Sequence, residues 1–211
     1  MSAMLPNELP KSGEQPTLGQ GMENLSPIGR KYFRLIEFDD AERLALEIRK
    51  HPVGLLFIIL TGAFVIAAIV VVTIAILLGL RDKGVAATGA SNYSSVVVLV
   101  GFLLAILSGA SMAIGVYLYQ SNVVFITNQK IAQVLYLTIF DRKISQLNIG
   151  DVQDVTVKQK GFLAHIFNYG TLVIETAGEQ QNYTFSYVPD PYEASKTIIG
   201  LHEKNIAQFG N

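Results

Sequence analysis

Apolar positions along this chain fall first into two unbroken blocks and then into short alternating sets. Val53–Leu80 and Val96–Tyr119 contain no Asp, Glu, Lys, Arg or His. A bilayer core about 30 Å thick is crossed by about 20 helical residues, and both blocks exceed that length. A soluble surface helix keeps a polar face, whereas these blocks are apolar all round. The pattern predicts two membrane-spanning helices joined as a hairpin over 53–119, with a connecting loop at 81–95.

The ends of the blocks carry interfacial residues. Arg43, Arg49, Lys50 and His51 precede the first block, where cations reach lipid phosphates. Pro52 suits a first helical turn, where its missing N–H costs nothing. Arg81 and Lys83 follow that block, and Tyr117 and Tyr119 close the second as interfacial aromatics do. Arg34, Arg43, Arg49, Lys50 and Lys130 flank the hairpin, against Arg81 and Lys83 in its loop, so the excess of cations predicts that both termini are cytoplasmic. Gly101, Ala105, Gly109 and Ala113 recur every four residues as a smooth stripe for helix packing. Ala63, Ala67 and Ala75 of the first block offer a matching surface, and self-association is the other use of such a stripe.

Beyond Ser121 the period changes to two. Val123, Phe125 and Thr127 alternate, Asn128-Gln129 reads as a tight turn, and β-rich sequence continues from Ile131 to Phe140 with a bend near Thr138. Lys143–Asn148, then Val152, Val155 and Val157, then Thr171–Thr176 and Tyr183–Tyr187 read as further strands. Phe162–Tyr169 is short and apolar, a strand or a helical turn, and Ala177-Gly178-Glu179 turns the chain. Pro189 and Pro191 stop the β pattern, and a helix follows from Pro191 to Gln208 with Asp190 as its N-cap. Ile198, Leu201 and Ile206 mark its buried side. The sum is about seven strands, an antiparallel barrel or sandwich capped by a C-terminal helix.

Upstream, Met1–Pro27 is rich in proline, glycine and polar residues and reads as a disordered tail. The juxtamembrane segment 28–52 mixes signals. Asp39, Asp40 and Glu42 suit a helix start, whereas Leu44, Leu46 and Ile48 alternate like a strand.

Composition narrows the functions. The net charge of −1 gives no global field for nucleic acid, and the absence of cysteine removes disulfides, thiolate catalysis and cysteine-held metals. His51, His165 and His202 share no ligand spacing, and Asp151 with Asp154 fits a strand start better than an acid pair. Neither apolar block holds an ionisable residue, which argues against a pump or transporter acting alone. Lys130, Arg142, Lys143, Lys158 and Lys160 form a candidate lipid-facing basic patch.

Arg49-Lys50-His51-Pro52 before the first block and Phe125-Ile126-Thr127-Asn128-Gln129-Lys130 after the second, followed by Ile149-Gly150-Asp151-Val152, Asn168-Tyr169-Gly170-Thr171-Leu172-Val173-Ile174, Ala177-Gly178 and Val188-Pro189-Asp190-Pro191, resemble a bacterial pleckstrin-homology-like membrane protein family, formerly a domain of unknown function. The resemblance covers about Phe38 to Gln208. It implies a membrane α-helical hairpin plus a β-rich PH-like domain over 120–208, seven strands closed by a helix, with no catalytic, cofactor or metal residues. The expected protein is a non-enzymatic interaction or scaffold module at the inner face of a bacterial cytoplasmic membrane. Its partners would be the lipid bilayer, a second copy or another membrane protein. The alternatives are an accessory subunit of a transport or export complex and a lipid-headgroup-binding protein.

Overall fold

A computed structural model describes residues 25–33, 36, 42–82, 91–176 and 182–209. In chain order the elements are α1 (Pro27–Phe33), β1 (Leu44–Arg49), α2 (Pro52–Asp82), α3 (Ser91–Gln120), β2 (Val123–Thr127), β3 (Lys130–Tyr136), β4 (Arg142–Asn148), a 3₁₀ turn (Ile149–Asp151), β5 (Val152–Lys158), α4 (Phe162–Ile166), β6 (Tyr169–Thr176), β7 (Tyr183–Pro189) and α5 (Pro191–Phe209). They form two compact units. One is Pro52–Gln120; the other joins Met1–His51 with Ser121–Asn211.

In the first unit, α2 and α3 are each long and apolar enough to cross a membrane. They pack antiparallel along a seam of small side chains. A Cβ on Gly62 would lie 2.5 Å from Met112 Sδ, and one on Gly101 would lie 2.5 Å from Thr73 Oγ1. At the open end of the hairpin a Cβ on Gly54 would meet the Tyr119 hydroxyl. The four-residue stripe is only half used. Gly101 is buried and Ala105 half-buried, but Ala113 is exposed, as are Ala63, Ala67 and Ala75. Four residues turn a helix by about 400°, so an i+4 stripe drifts off a seam that follows a repeat near 3.5. Gly101, Ala105, Ser108, Met112, Gly115 and Tyr119 keep that seam, none of them exposed. Gly101→Leu is therefore expected to lower the detergent-solubilised hairpin's unfolding free energy by about 1–3 kcal/mol through overpacking. Gly109→Leu, into open space, is expected to leave it unchanged; thermal melts of the two variants side by side check this.

The second unit is a sandwich of two antiparallel sheets, ordered β1-β2-β3-β4 and β5-β6-β7. Between them lie Ile126, Ile131, Leu172, Ile174 and Phe185, closed over by Ala194 and Ile198 of α5. The helix runs past the sandwich to the 3₁₀ turn, where His202 Nδ1 lies 2.7 Å from the Ile149 carbonyl oxygen. Ile206, expected on the buried side, is exposed. The strand that completes the first sheet comes from ahead of the hairpin. β1 pairs with β2 from Leu44↔Thr127 to Arg49↔Val123, so the alternation of Leu44, Leu46 and Ile48 is that of a strand. The segment 28–52 thus contributes a strand to the second unit, and the helical hairpin is inserted between β1 and β2.

β2 is buried at every position. Val124 and Ile126 face the inter-sheet core, while Val123 and Phe125 face a second cluster with Leu25, Tyr32 and Ile36. A short N-terminal cap therefore covers the outer face of the sheet. Ser26 starts it: its hydroxyl accepts the Gly29 N–H at 2.9 Å, an N-cap followed by Pro27 in the first turn. The Ser26 N–H and hydroxyl both donate to the Glu47 carboxylate, at 2.8 and 2.5 Å. Gly29 is pressed so close to that carboxylate that any Cβ would displace it. The tail expected to run through residue 27 thus has packed residues at its end, Leu25 and Ser26; residues 1–24 lie outside the described residues, as do Asp39, Asp40 and the turn at Ala177-Gly178-Glu179.

Candidate functional site

Strand register defines the two ends of the sandwich. Arg49↔Val123, Val123↔Val134 and Tyr136↔Arg142 bring residues 49–51, 121–123 and the β3–β4 turn to one end of the first sheet. Lys158↔Thr171 and Tyr169↔Pro189 place the β5–β6 connection and the start of α5 at one end of the second. The His51 N–H donates to the Tyr187 carbonyl at 2.6 Å, so these are the same end of the domain. It is the end at which the chain departs for α2, at Pro52, and returns from α3, at Gln120. The opposite end holds Thr127–Lys130, Asn148–Val152, the last residue of β6, Thr176, and the first of β7, Tyr183.

An aromatic stack stands at the departure point. The His51 and Tyr169 rings are 5.3 Å apart and 26° from parallel, and Tyr169 stacks on Tyr187 at 5.6 Å and 21°. Three non-glycine residues around it adopt left-handed backbone: Asn168 (φ 47), Tyr187 (φ 59) and Asp190 (φ 43). Asn and Asp tolerate that region because their short side chains bond locally. Here the Asn168 amide donates to the Asp190 carboxylate, and the Asp190 N–H donates back to the Asn168 carbonyl at 3.0 Å. Asp190 thus ties the β5–β6 connection to the start of α5, which it precedes as the N-cap residue, its carbonyl accepting the Ala194 N–H at 3.1 Å. Tyr187 has no such excuse and carries a strain of order 1–3 kcal/mol, held by the stack and by its carbonyl bond to His51.

Burial sets the electrostatics. It lowers the pKa of His51, a fall that the Asp190 charge partly opposes, and it lowers that of Lys50. Both groups are thereby pushed toward their neutral forms. Arg49 Nε is buried with no hydrogen-bond acceptor. Two cavities open beside the stack. One, of about 170 Å³, lies where β1 meets β7 and is lined by Arg49, Lys50, Asn122, Gln133 and Tyr187. The other, about 390 Å³, lies between Lys158, Lys160, Tyr169, Thr171, Ser186 and Tyr187. Among the described residues no group of three or more His, Asp or Glu side chains is placed to hold a metal ion.

The predicted interfacial residues separate. Arg49, Lys50 and His51 gather at this end, but Arg43 sits at the other, where its N–H donates to Asn128 Oδ1 at 2.7 Å. Its six-residue distance from Arg49 sounds small, but six residues of strand span about 20 Å. Arg81 is exposed at the last turn of α2, Lys83 lies outside the described residues, and Tyr117 and Tyr119 stand in the last turn of α3. The basic patch divides as well. Arg142 and Lys143 begin β4, Lys158 ends β5 and Lys160 follows two residues later, all at the departure end. Lys130 is at the opposite end, 3.1 Å from the buried Glu42 carboxylate.

Two apolar projections at the departure end were not anticipated. The β-rich run expected from Ile131 to Phe140 does bend near Thr138, but pairing already stops at Tyr136, and Leu137, Ile139 and Phe140 stand exposed in a tight turn, Phe140 at 97%. Thr138 Oγ1 accepts the Phe140 and Asp141 N–H groups at 3.2 and 2.9 Å and so fixes the turn. The ambiguous segment 162–169 begins as the single helical turn α4, entered through Gly161 at φ 90, a conformation glycine adopts freely. Phe162, Leu163, Ile166 and Phe167 are exposed on it. The visible signal was apolar side chains crowded into segments that have no partner strand. The strained trio left no signal beyond the Asn and Asp themselves.

A four-stranded and a three-stranded antiparallel sheet closed by a C-terminal helix define a PH-like domain. The chain belongs to the bacterial PH domain family, whose model matches residues 53–201. Among solved structures it is similar to a DUF1696 family protein with a pleckstrin-homology domain from Shewanella loihica. That likeness has 13% identity and a TM-score of 0.32, over 38% of this chain and 70% of the other. No curated protein matches the sequence.

Proposed function

We propose that the protein is a membrane-anchored interaction module whose PH-like domain is held at the inner face of a bacterial membrane. The observation that carries this reading is the insertion of two lipid-length helices between paired strands β1 and β2. Because Arg49 pairs with Val123, both flanks of the insertion belong to one folded body and must lie on the same side of any bilayer. An even number of crossings satisfies this, and two helices supply it. The excess of Lys and Arg on the flanks makes that side cytoplasmic. PH-like domains are generally non-catalytic, and tethering supplies the high local concentration that lets weak contacts matter.

The test is sodium carbonate extraction followed by native mass spectrometry of the full chain from mild detergent. Retention in the membrane pellet, with recovery as an oligomer or with a bound protein or lipid, is the expected result. Release into the carbonate supernatant overturns the anchoring, and a bare monomer with no partner or lipid above background overturns the interaction role. A transporter as the co-purified partner would specify the role as an accessory subunit, which two helices free of internal charge also favour.

A further inference from the structure

We propose that the departure end of the PH-like domain is itself a lipid-binding face, seated in the headgroup layer of an anionic leaflet through two apolar projections. This rests on the anchored reading above. The projections are the β3–β4 turn, with Leu137, Ile139 and Phe140, and α4, with Phe162, Ile166 and Phe167. They come from different sheets, yet strand register brings both to the end that carries His51 and Ser121, the residues next to the two long apolar helices.

Three observations select a bilayer as the occupant. Large apolar side chains project from two separate tips, Phe140 being 97% and Phe162 79% exposed; the other exposed large apolar side chains described in the domain, Tyr192, Ile199 and Ile206, lie singly along α5 and are less exposed. A tip that hydrogen-bonds its own backbone, as Thr138 does, can enter an interface without leaving amides unsatisfied. Each tip has cations beside it, Arg142 and Lys143 outnumbering Asp141 on one and Lys158 and Lys160 on the other. Apolar side chains ahead of a basic collar match acyl chains beneath anionic headgroups. The covalent path supplies the encounter, since Pro52 follows His51 directly.

The chain has no tryptophan, so a single introduced indole reports its own surroundings. The full-length protein is reconstituted in vesicles of phosphatidylcholine and phosphatidylglycerol brominated on their acyl chains. Four variants are compared: Phe140→Trp, Phe162→Trp, Gln129→Trp at the opposite end of the domain, and Phe64→Trp within α2. The expected result is blue-shifted emission and about twofold quenching for Phe140→Trp and Phe162→Trp, as for aromatic residues at a membrane interface, with water-like, unquenched emission for Gln129→Trp. Water-like emission from both Phe140→Trp and Phe162→Trp, with Phe64→Trp quenched, overturns the docking and leaves the anchor intact. An unquenched Phe64→Trp overturns the anchor and the docking with it. The exposure of both tips makes the substitutions neutral to folding.

Discussion

Lys130→Met is expected to lower the unfolding free energy of the PH-like domain by about 3–5 kcal/mol, the cost of removing one member of a buried ion pair. An exposed pair would be worth less than about 1 kcal/mol, so the burial decides the size of the effect. The Glu42 side chain is 0% exposed, and Lys130 Nζ lies 3.1 Å from its Oε2. The Thr127 hydroxyl donates to the same carboxylate and accepts the Lys130 N–H at 2.9 Å. Glu42, just ahead of β1, is thus pinned to the β2–β3 turn. Combining Lys130→Met with Glu42→Gln removes the stranded charge and is expected to recover much of the loss. Urea unfolding of the full chain in mild detergent, followed by circular dichroism, measures all three variants. A loss under about 1 kcal/mol for Lys130→Met would place the pair in water after all.

Tyr32→Ala is expected to cost about 3 kcal/mol, as truncation of a buried aromatic does. Tyr32 is 2% exposed, and its ring lies 5.5 Å from that of Tyr136. It is the largest side chain of the cap over Val123, Phe125 and Val134. Removing it opens the outer face of β2 to water. The same denaturation series reads the effect, and hydrogen exchange should show faster opening of the β2 and β3 amides. An unstructured leader would be indifferent to the change, so an unaltered midpoint would dismiss the cap.

How much of this was legible in the sequence depends on the range of the interactions involved. The two apolar blocks are self-evident because lipid-length hydrophobicity is a local property, and most strands of the sandwich show in period two. Phe125 shows what periodicity hides. It was read as one side of a half-buried strand, but β2 is covered on both faces, and its second cover arrives from Leu25 and Tyr32, on the far side of the hairpin. Leu44–Arg49 stayed ambiguous for the same reason, since its partner strand lies beyond both helices. The candidate site was legible only in part. Arg49-Lys50-His51 stood out as charge against an apolar block, but the stack of His51 on Tyr169 and Tyr187 needs three segments to meet. Arg43 and Lys130 stand apart from the other cations, which a count along the chain could not show because it does not record which end of a strand each one occupies. The bend near Thr138 was legible, but the exposure of Phe140 beyond it was not, because residue type does not tell where pairing stops.

The insertion of the hairpin between β1 and β2 also sets an order of events in biogenesis. On the anchored reading proposed above, β1 is made first as the chain emerges and has no partner strand until both helices have been delivered to the bilayer and the chain has come back. Closing so long a loop through a random coil would carry a large entropic cost. Gly54 and Tyr119 meet in the finished hairpin, so its assembly shortens the gap from tens of residues to a few. Completion of the first sheet then becomes a checkpoint on insertion: a chain that crosses once strands β1 and β2 in different compartments, and cellular proteolysis would find the orphaned edge.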